Sequence, residues 1–134
     1  MNRNSIIQAL DTIAKTKGYT LYTDADSLLP QRLKSFPAIW LSPLKFKSME
    51  GRKHGKITYL LSLKALTQAA KLPPADHEGV WAKMEDDVLE IFSALSQQER
   101  VIAIENLSLK SNFATLTSHG ELSLEATAEV ITFF

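Results

Sequence analysis

The stretch FPAIWLSPLKFKSMEGRKHGKITYLLSLKAL, Phe36 to Leu66, decides the fold of this chain. Its second arm alternates Ile57, Tyr59, Leu61, Leu63 and Ala65 with Lys56, Thr58, Leu60, Ser62 and Lys64, the period of two that gives a strand one core face and one mostly wet face. In the first arm Ala38, Ile39, Trp40 and Leu41 are apolar on both faces, as in a strand covered on both sides. Leu44 and Phe46 then alternate with Lys45 and Lys47. Between the arms lies SMEGRKHG, with Gly51 and Gly55 available for positive φ and too many charges to be buried. The stretch reads as a long β-hairpin with an exposed, mobile tip over Ser48–Gly55.

Composition bounds the rest. At 134 residues the chain fits one domain, 1–134, that buries about two-thirds of its unfolded surface. Fifteen basic and fifteen acidic residues give a formal net charge of zero, so the long-range positive field of most nucleic-acid binders is missing. Sequence-specific nucleic-acid binding is not expected. The absence of cysteine excludes disulfides, thiolate zinc sites and cysteine nucleophiles. No stretch approaches the ~20 apolar residues of a membrane span, and the first fifteen residues lack the pattern of a cleaved leader. A soluble, unexported protein without a membrane partner is expected.

Around the hairpin, Ile6, Leu10, Ile13 and Ala14 predict a first helix near 5–17, with Asn4 or Ser5 as cap and Gly18 as stop. Tyr19–Tyr22 reads as a short strand, and 23–35 as a loop holding a helical turn. The prolines of TQAAKLPPADHEG form a connector. Val80, Trp81, Met84, Val88, Ile91, Phe92 and Leu95 recur at helical spacing and predict a second main helix, with Asp76 as its cap. Strand character returns at Val101–Ile104 and runs through Leu107 and Leu109 to a turn at TSHG. In the last strand Leu122, Leu124, Ala126, Ala128 and Val130 alternate with Glu121, Ser123, Glu125, Thr127 and Glu129. The class expected is α+β: a mixed or mainly antiparallel sheet with a long hairpin and two main helices packed on one face.

Chemical motifs are few. Glu85, Asp86 and Asp87 point around a helix instead of converging, so a solvated face is expected there and Asp87→Lys should be nearly silent. His54, His77 and His119 are far apart and show no ligand spacing, so no metal site is expected. Without a GxSxG elbow or a glycine-rich phosphate loop, no catalytic residue and no cofactor is expected. Trp40, Trp81, Phe46 and Phe92 read as core. One pattern is less plain: Lys45, Lys47, Lys56 and Lys64 mark the outward face of the hairpin, and Glu121, Glu125 and Glu129 that of the last strand. The stripes either pair within one sheet or meet across a head-to-tail contact between subunits.

The order of elements, the proline-led FPAIWLSP strand before a charged-tip hairpin, one strong amphipathic helix and the closing GELSLEATAEVITFF resembles the tail-terminator and tail-completion (minor tail) proteins of long-tailed phages and prophages. The resemblance spans nearly the whole chain. It implies a non-enzymatic virion-assembly protein that forms a homo-oligomeric ring, a hexamer by family resemblance, ending the tail tube and joining tail to head. Its partners would be itself, the tail tube and head-completion proteins, in the bacterial cytoplasm during assembly and then in the virion tail. The arm 45–58 would make the contacts, with Arg52, Lys53 and Lys56 facing the partner. The alternatives are a stand-alone adaptor or binding module and, further off, a small enzyme with an unrecognised site.

Overall fold

The computed structural model describes residues 2–112, 117 and 119–134. Its elements run α1 (Arg3–Thr16), β1 (Thr20–Thr23), a 3-10 turn and the short α2 (Leu29–Arg32), β2 (Ala38–Leu41), β3 (Lys45–Gly51), β4 (Gly55–Gln68), α3 (His77–Ser96), β5 (Val101–Asn112) and β6 (Glu121–Phe133). The class is α+β, with one six-stranded mixed sheet. Its strand order is β1-β2-β4-β6-β5, and β3 extends the sheet along β4. Among the described residues, only β1 and β2 pair in parallel.

The Phe36–Leu66 stretch does form a hairpin, but its first arm is broken into two strands. Leu41 faces Leu63 and Lys45 faces Leu60, so Ser42–Leu44 bulges against two residues of β4. Pro43 has no N–H to give the ladder, which makes this the point where pairing lapses. A second shift falls at Lys47, between Phe46 opposite Tyr59 and Ser48 opposite Thr58. β6 lies against the other side of β4 from Lys56–Phe133 to Gln68–Glu121 with no shift. The second arm is therefore a central strand and not a free projection.

Both main helices cover one face of the sheet. Ile6, Leu10, Ile13 and Ala14 of α1 join Trp81, Met84, Val88, Ile91, Phe92 and Leu95 of α3 over Leu61, Leu63, Ala65, Leu124, Ala126 and Val130. The alanines let the helices approach the strands closely, while burying each larger aliphatic side chain contributes roughly 1.5–3 kcal/mol. On the opposite face Leu29 and Leu33 seal a second, smaller cluster over Ala38, Trp40 and Leu66. That cover explains why β2 is apolar on both sides. The predicted loop with a helical turn is this lid.

The helix ends follow local chemistry. Asn2, not Asn4 or Ser5, caps α1: its side-chain oxygen accepts from the Ser5 N–H at 2.9 Å. At the other end Gly18 takes φ +82°, and the Gly18 and Tyr19 N–H groups donate to Lys15 and Ala14, the paired bonds of a glycine-ended helix. Asp76 stands at the cap position of α3, yet its side chain makes no capping bond.

Three expectations need correction. Phe46 is 56% exposed and is not core, because the helix layer does not extend over β3. Glu121 is 1% exposed and cannot belong to a wet stripe. Its carboxylate turns inward to accept from the Thr117 N–H and hydroxyl at 2.8 and 2.6 Å. Asp87 is no bland surface residue, since it accepts from the Tyr19 hydroxyl at 2.8 Å and the Lys83 ammonium at 2.7 Å. Glu85 and Asp86 are exposed. Of the predicted TSHG turn, Ser118 lies outside the described residues.

Val88 is fully buried between α3 and the sheet. Val88→Asp is expected to lower stability by roughly 3–5 kcal/mol, and Glu85→Lys on the exposed face by less than ~0.5 kcal/mol. Urea midpoints of the two variants check this, and equal losses would refute the helix orientation.

Candidate functional site

The hairpin tip is set by two glycines. Gly51 has φ +99°, and a side chain on it would place Cβ 2.7 Å from the Gly55 Cα. A Cβ on Gly55 would lie 2.0 Å from the Glu50 carbonyl oxygen. The two residues face each other as the last pair of the ladder, leaving only Arg52, Lys53 and His54 as the turn. The tip is thus shorter than Ser48–Gly55, whose first four residues are strand. All three turn residues are exposed. Phe134 donates its N–H to the Gly55 carbonyl at 3.1 Å, so the C-terminal strand reaches nearly as far as the tip.

Beside the turn, β3 is an edge strand carrying Phe46 at 56% and Met49 at 57% exposure. Phe46 sits edge-on to Tyr59 with ring centres 6.2 Å apart. Both face the helix side of the sheet, since they pair with Tyr59 and Ile57. Phe46 and Met49 are thus large apolar side chains left exposed on an otherwise polar and charged strand. Lys45, opposite Leu60, and Lys56, opposite Phe133, are exposed on the other face.

Among the described residues the charge stripes pair inside the chain in part. Lys47, set out of register by its bulge, forms an ion pair with Glu129, and Asn106 donates to the same carboxylate at 2.7 Å. The hydrogen bonds from Lys47 and Asn106 hold the Glu129 carboxyl below its ordinary range. Glu125 has Lys64 opposite it on β4 and Lys110 opposite it on β5. Lys64 also lies 3.8 Å from Asp26. Such pairs in partial exposure each add a few tenths of a kcal/mol. Glu105 is the exception: it stands directly opposite Glu129 and forms no ion pair among the described residues.

Sequence reasoning missed a cleft of about 620 Å³ on the sheet face away from the main helices. Leu60, Ser62 and Thr127 form its floor, with Asp26 and Pro43 on one wall and Asn106 and Glu129 on the other. The first wall exists because the 3-10 turn rides over β2, where Asp26 accepts from the Trp40 indole N–H at 3.2 Å and the Ser42 hydroxyl at 2.7 Å. The second exists because β5 bulges between Glu105 and Ser108, with Asn106 at φ +55°. The only sequence signal is the lapse of alternation at Glu105–Asn106–Leu107.

Among the described residues, no group of three or more His, Asp or Glu could hold a metal ion. His54 is in the tip, His77 packs edge-on to Trp81 at 6.1 Å and His119 against Phe36 at 5.5 Å. Tyr19 has a raised phenol pKa. Burial, the hydrogen bond to Asp87 and the charge of Asp87 push its phenol well above the ordinary value. The same hydrogen bond ties α3 to the chain just before β1.

No protein-family model and no curated protein matches this sequence. Among solved structures, the chain is similar to the crystal structure of the type 4 fimbrial biogenesis protein PilO from Pseudomonas aeruginosa, at 8% identity and a TM-score of 0.48, over 98% of this chain and 69% of that one.

Two measurements check this surface and its surroundings. A raised folded pKa means that Tyr19 contributes stability in full below its unfolded pKa of about 10 and loses it as pH rises further. Phenolate absorbance of the folded protein should show one late-titrating tyrosine, which Asp87→Asn moves to lower pH; no movement would remove Asp87 as a cause. In limited trypsin digestion, cleavage after Arg52 or Lys53 should come first, with the halves held together by the β2–β4 and β3–β4 ladders. Protection of those bonds in the dilute protein would show a packed tip.

Proposed function

We propose that this chain is a virion-assembly protein of the tail-terminator kind, forming a homo-oligomeric ring that ends a tail tube and joins it to a head-completion protein. The observation that carries the proposal is the edge strand β3, where Phe46 and Met49 lie exposed beside the basic turn Arg52–His54. A domain that already has two apolar clusters has no folding reason to leave these side chains in water. Apolar anchors with a charged rim are what a protein contact uses: the anchors supply affinity, and the rim steers approach and fixes register. Element order, the proline-led β2 and the long amphipathic β6 support the tail-terminator assignment. Ring symmetry, bacterial cytoplasm and virion tail come from that resemblance. No helix among the described residues is long and apolar enough to cross a membrane, and the proposal includes no membrane and no sequence-specific nucleic-acid partner.

A stand-alone adaptor or binding module is the second reading, favoured by the open cleft over Leu60. Oligomeric state separates the two. Light scattering across a concentration series should show self-association that rises with concentration and falls with salt. A strict monomer at millimolar concentration in low salt would favour the adaptor. Reversing the tip charges with Arg52→Glu and Lys53→Glu should leave the melting temperature within a degree or two, because exposed charges add little to folding, while weakening self-association roughly tenfold or more. Unchanged association would exclude the tip from the contact.

A further inference from the structure

Two segments of this chain mirror each other in charge. From Lys45 to Lys56 there are five basic residues and one acidic residue, and along α3 there are five acidic residues and one basic residue. The ion pairs within the chain leave most of that difference in place. Lys47 is held by Glu129, Asp87 by Lys83 and Glu90 by Lys17. Arg52 and Lys53 on the hairpin turn and Glu85 and Asp86 on α3 form no ion pair among the described residues, and all four are exposed. Each charged segment also leaves apolar side chains in water. Phe46 and Met49 stand beside the basic turn, and Leu89, 46% exposed, follows Glu85 by one turn of the helix. Resting on the assembly proposal above, we infer that the hairpin end of one copy docks on the outward face of α3 of another, with Phe46 and Met49 against Leu89 and the basic turn against Glu85 and Asp86.

A second copy is required by the geometry. Trp81, Met84, Val88, Ile91, Phe92 and Leu95 seat α3 on its own sheet, so Glu85, Asp86 and Leu89, exposed between them on the helical repeat, point away from that sheet. β3 is itself part of the sheet, laddered to β4 from Lys45 to Gly51. A hairpin therefore cannot reach the outward face of its own α3, whereas that of another copy can. Charge selects this pairing of surfaces over the others. Hairpin against hairpin would set Arg52 and Lys53 near their own copies, α3 against α3 would do the same to Glu85 and Asp86, and like charges so placed oppose association. The cleft carboxylates are already occupied, because Glu129 is held by Lys47 and Asp26 lies 3.8 Å from Lys64. The bulge at Lys47 also spoils β3 as a template for adding a strand, which leaves side chains to make the contact.

Exchanging charge between the two surfaces tests the inference. Glu85→Lys with Asp86→Lys should weaken self-association roughly tenfold or more, and Leu89→Ser, which changes no charge, should weaken it as well. Adding Arg52→Glu and Lys53→Glu to the helix reversal returns the net charge to zero and restores opposite signs across the contact, so this combined variant should associate as the wild type does. Adding Lys34→Glu and Lys71→Glu instead gives the same net charge from exposed positions outside both surfaces and should restore nothing. All the substituted residues are exposed, so the variants should fold, with circular dichroism and melting as the check. Sedimentation at concentrations where the wild type assembles reads every arm. A helix reversal or a Leu89→Ser variant that associates like the wild type, or a Lys34 and Lys71 control that restores association as fully as the tip reversal, would overturn the docking of hairpin on α3 while leaving the assembly proposal standing. A wild type that remains monomeric throughout would bring down the assembly proposal itself, and the docking with it.

Discussion

The unshifted antiparallel pairing of β4 with β6 is the constraint on which the rest of the structure depends. From Lys56–Phe133 to Gln68–Glu121 the two strands hold one register. That register places Leu61, Leu63, Ala65, Leu124, Ala126 and Val130 on a single face, where α1 and α3 close over them. A slip of one residue would turn every one of these side chains to the opposite face. The pairings of β3 and β5 are less regular. β2 and β3 share one edge of β4 with a break between them, and β5 follows β6 through two shifts.

Those irregularities answer a problem that the central ladder creates. A long sheet with open edges invites pairing with other chains, and natural sheets blunt their edges with bulges, lysines and short strands. β3 has a bulge at Lys47 and lysines at 45 and 47; β5 has a bulge at Glu105–Ser108 and the left-handed Asn106. The same devices shape the surface. The β5 bulge raises one wall of the cleft, and the β3 bulge swings Lys47 across β4 to Glu129. Edge protection and the candidate contact surface are therefore products of the same local distortions.

Charge follows a similar economy. Once the chain is folded, Lys47, Lys64, Glu125 and Glu129 have opposite charges within the same sheet, and Glu121 is buried. What remains outward of the stripes is Lys45 and Lys56, near the basic turn at one end of the hairpin.

Much of the fold was legible in the chain because it follows from short-range periods. The alternation of β4 and β6, the helical spacing of α1 and α3 and the stop at Gly18 each depend on residues a few positions apart, and the structure keeps them except at the start of β6, where Glu121 and Ser123 are buried as well. Even the two-sided burial of Ala38–Leu41 was visible in its composition, although not what covered it. The sequence could not say where the helix layer ends, so Phe46 looked like core when it lies beyond that layer. Nor could it say that Glu121 turns inward to Thr117, that Asp87 meets Tyr19 across 68 residues, or that Lys47 and Glu129 meet across 82. The cleft belongs to the same group, since its walls come from a turn near residue 26 and a bulge near residue 106. Local periodicity determined which faces are apolar; only the packed sheet decided which of those faces are covered, because coverage depends on elements brought together from distant parts of the chain.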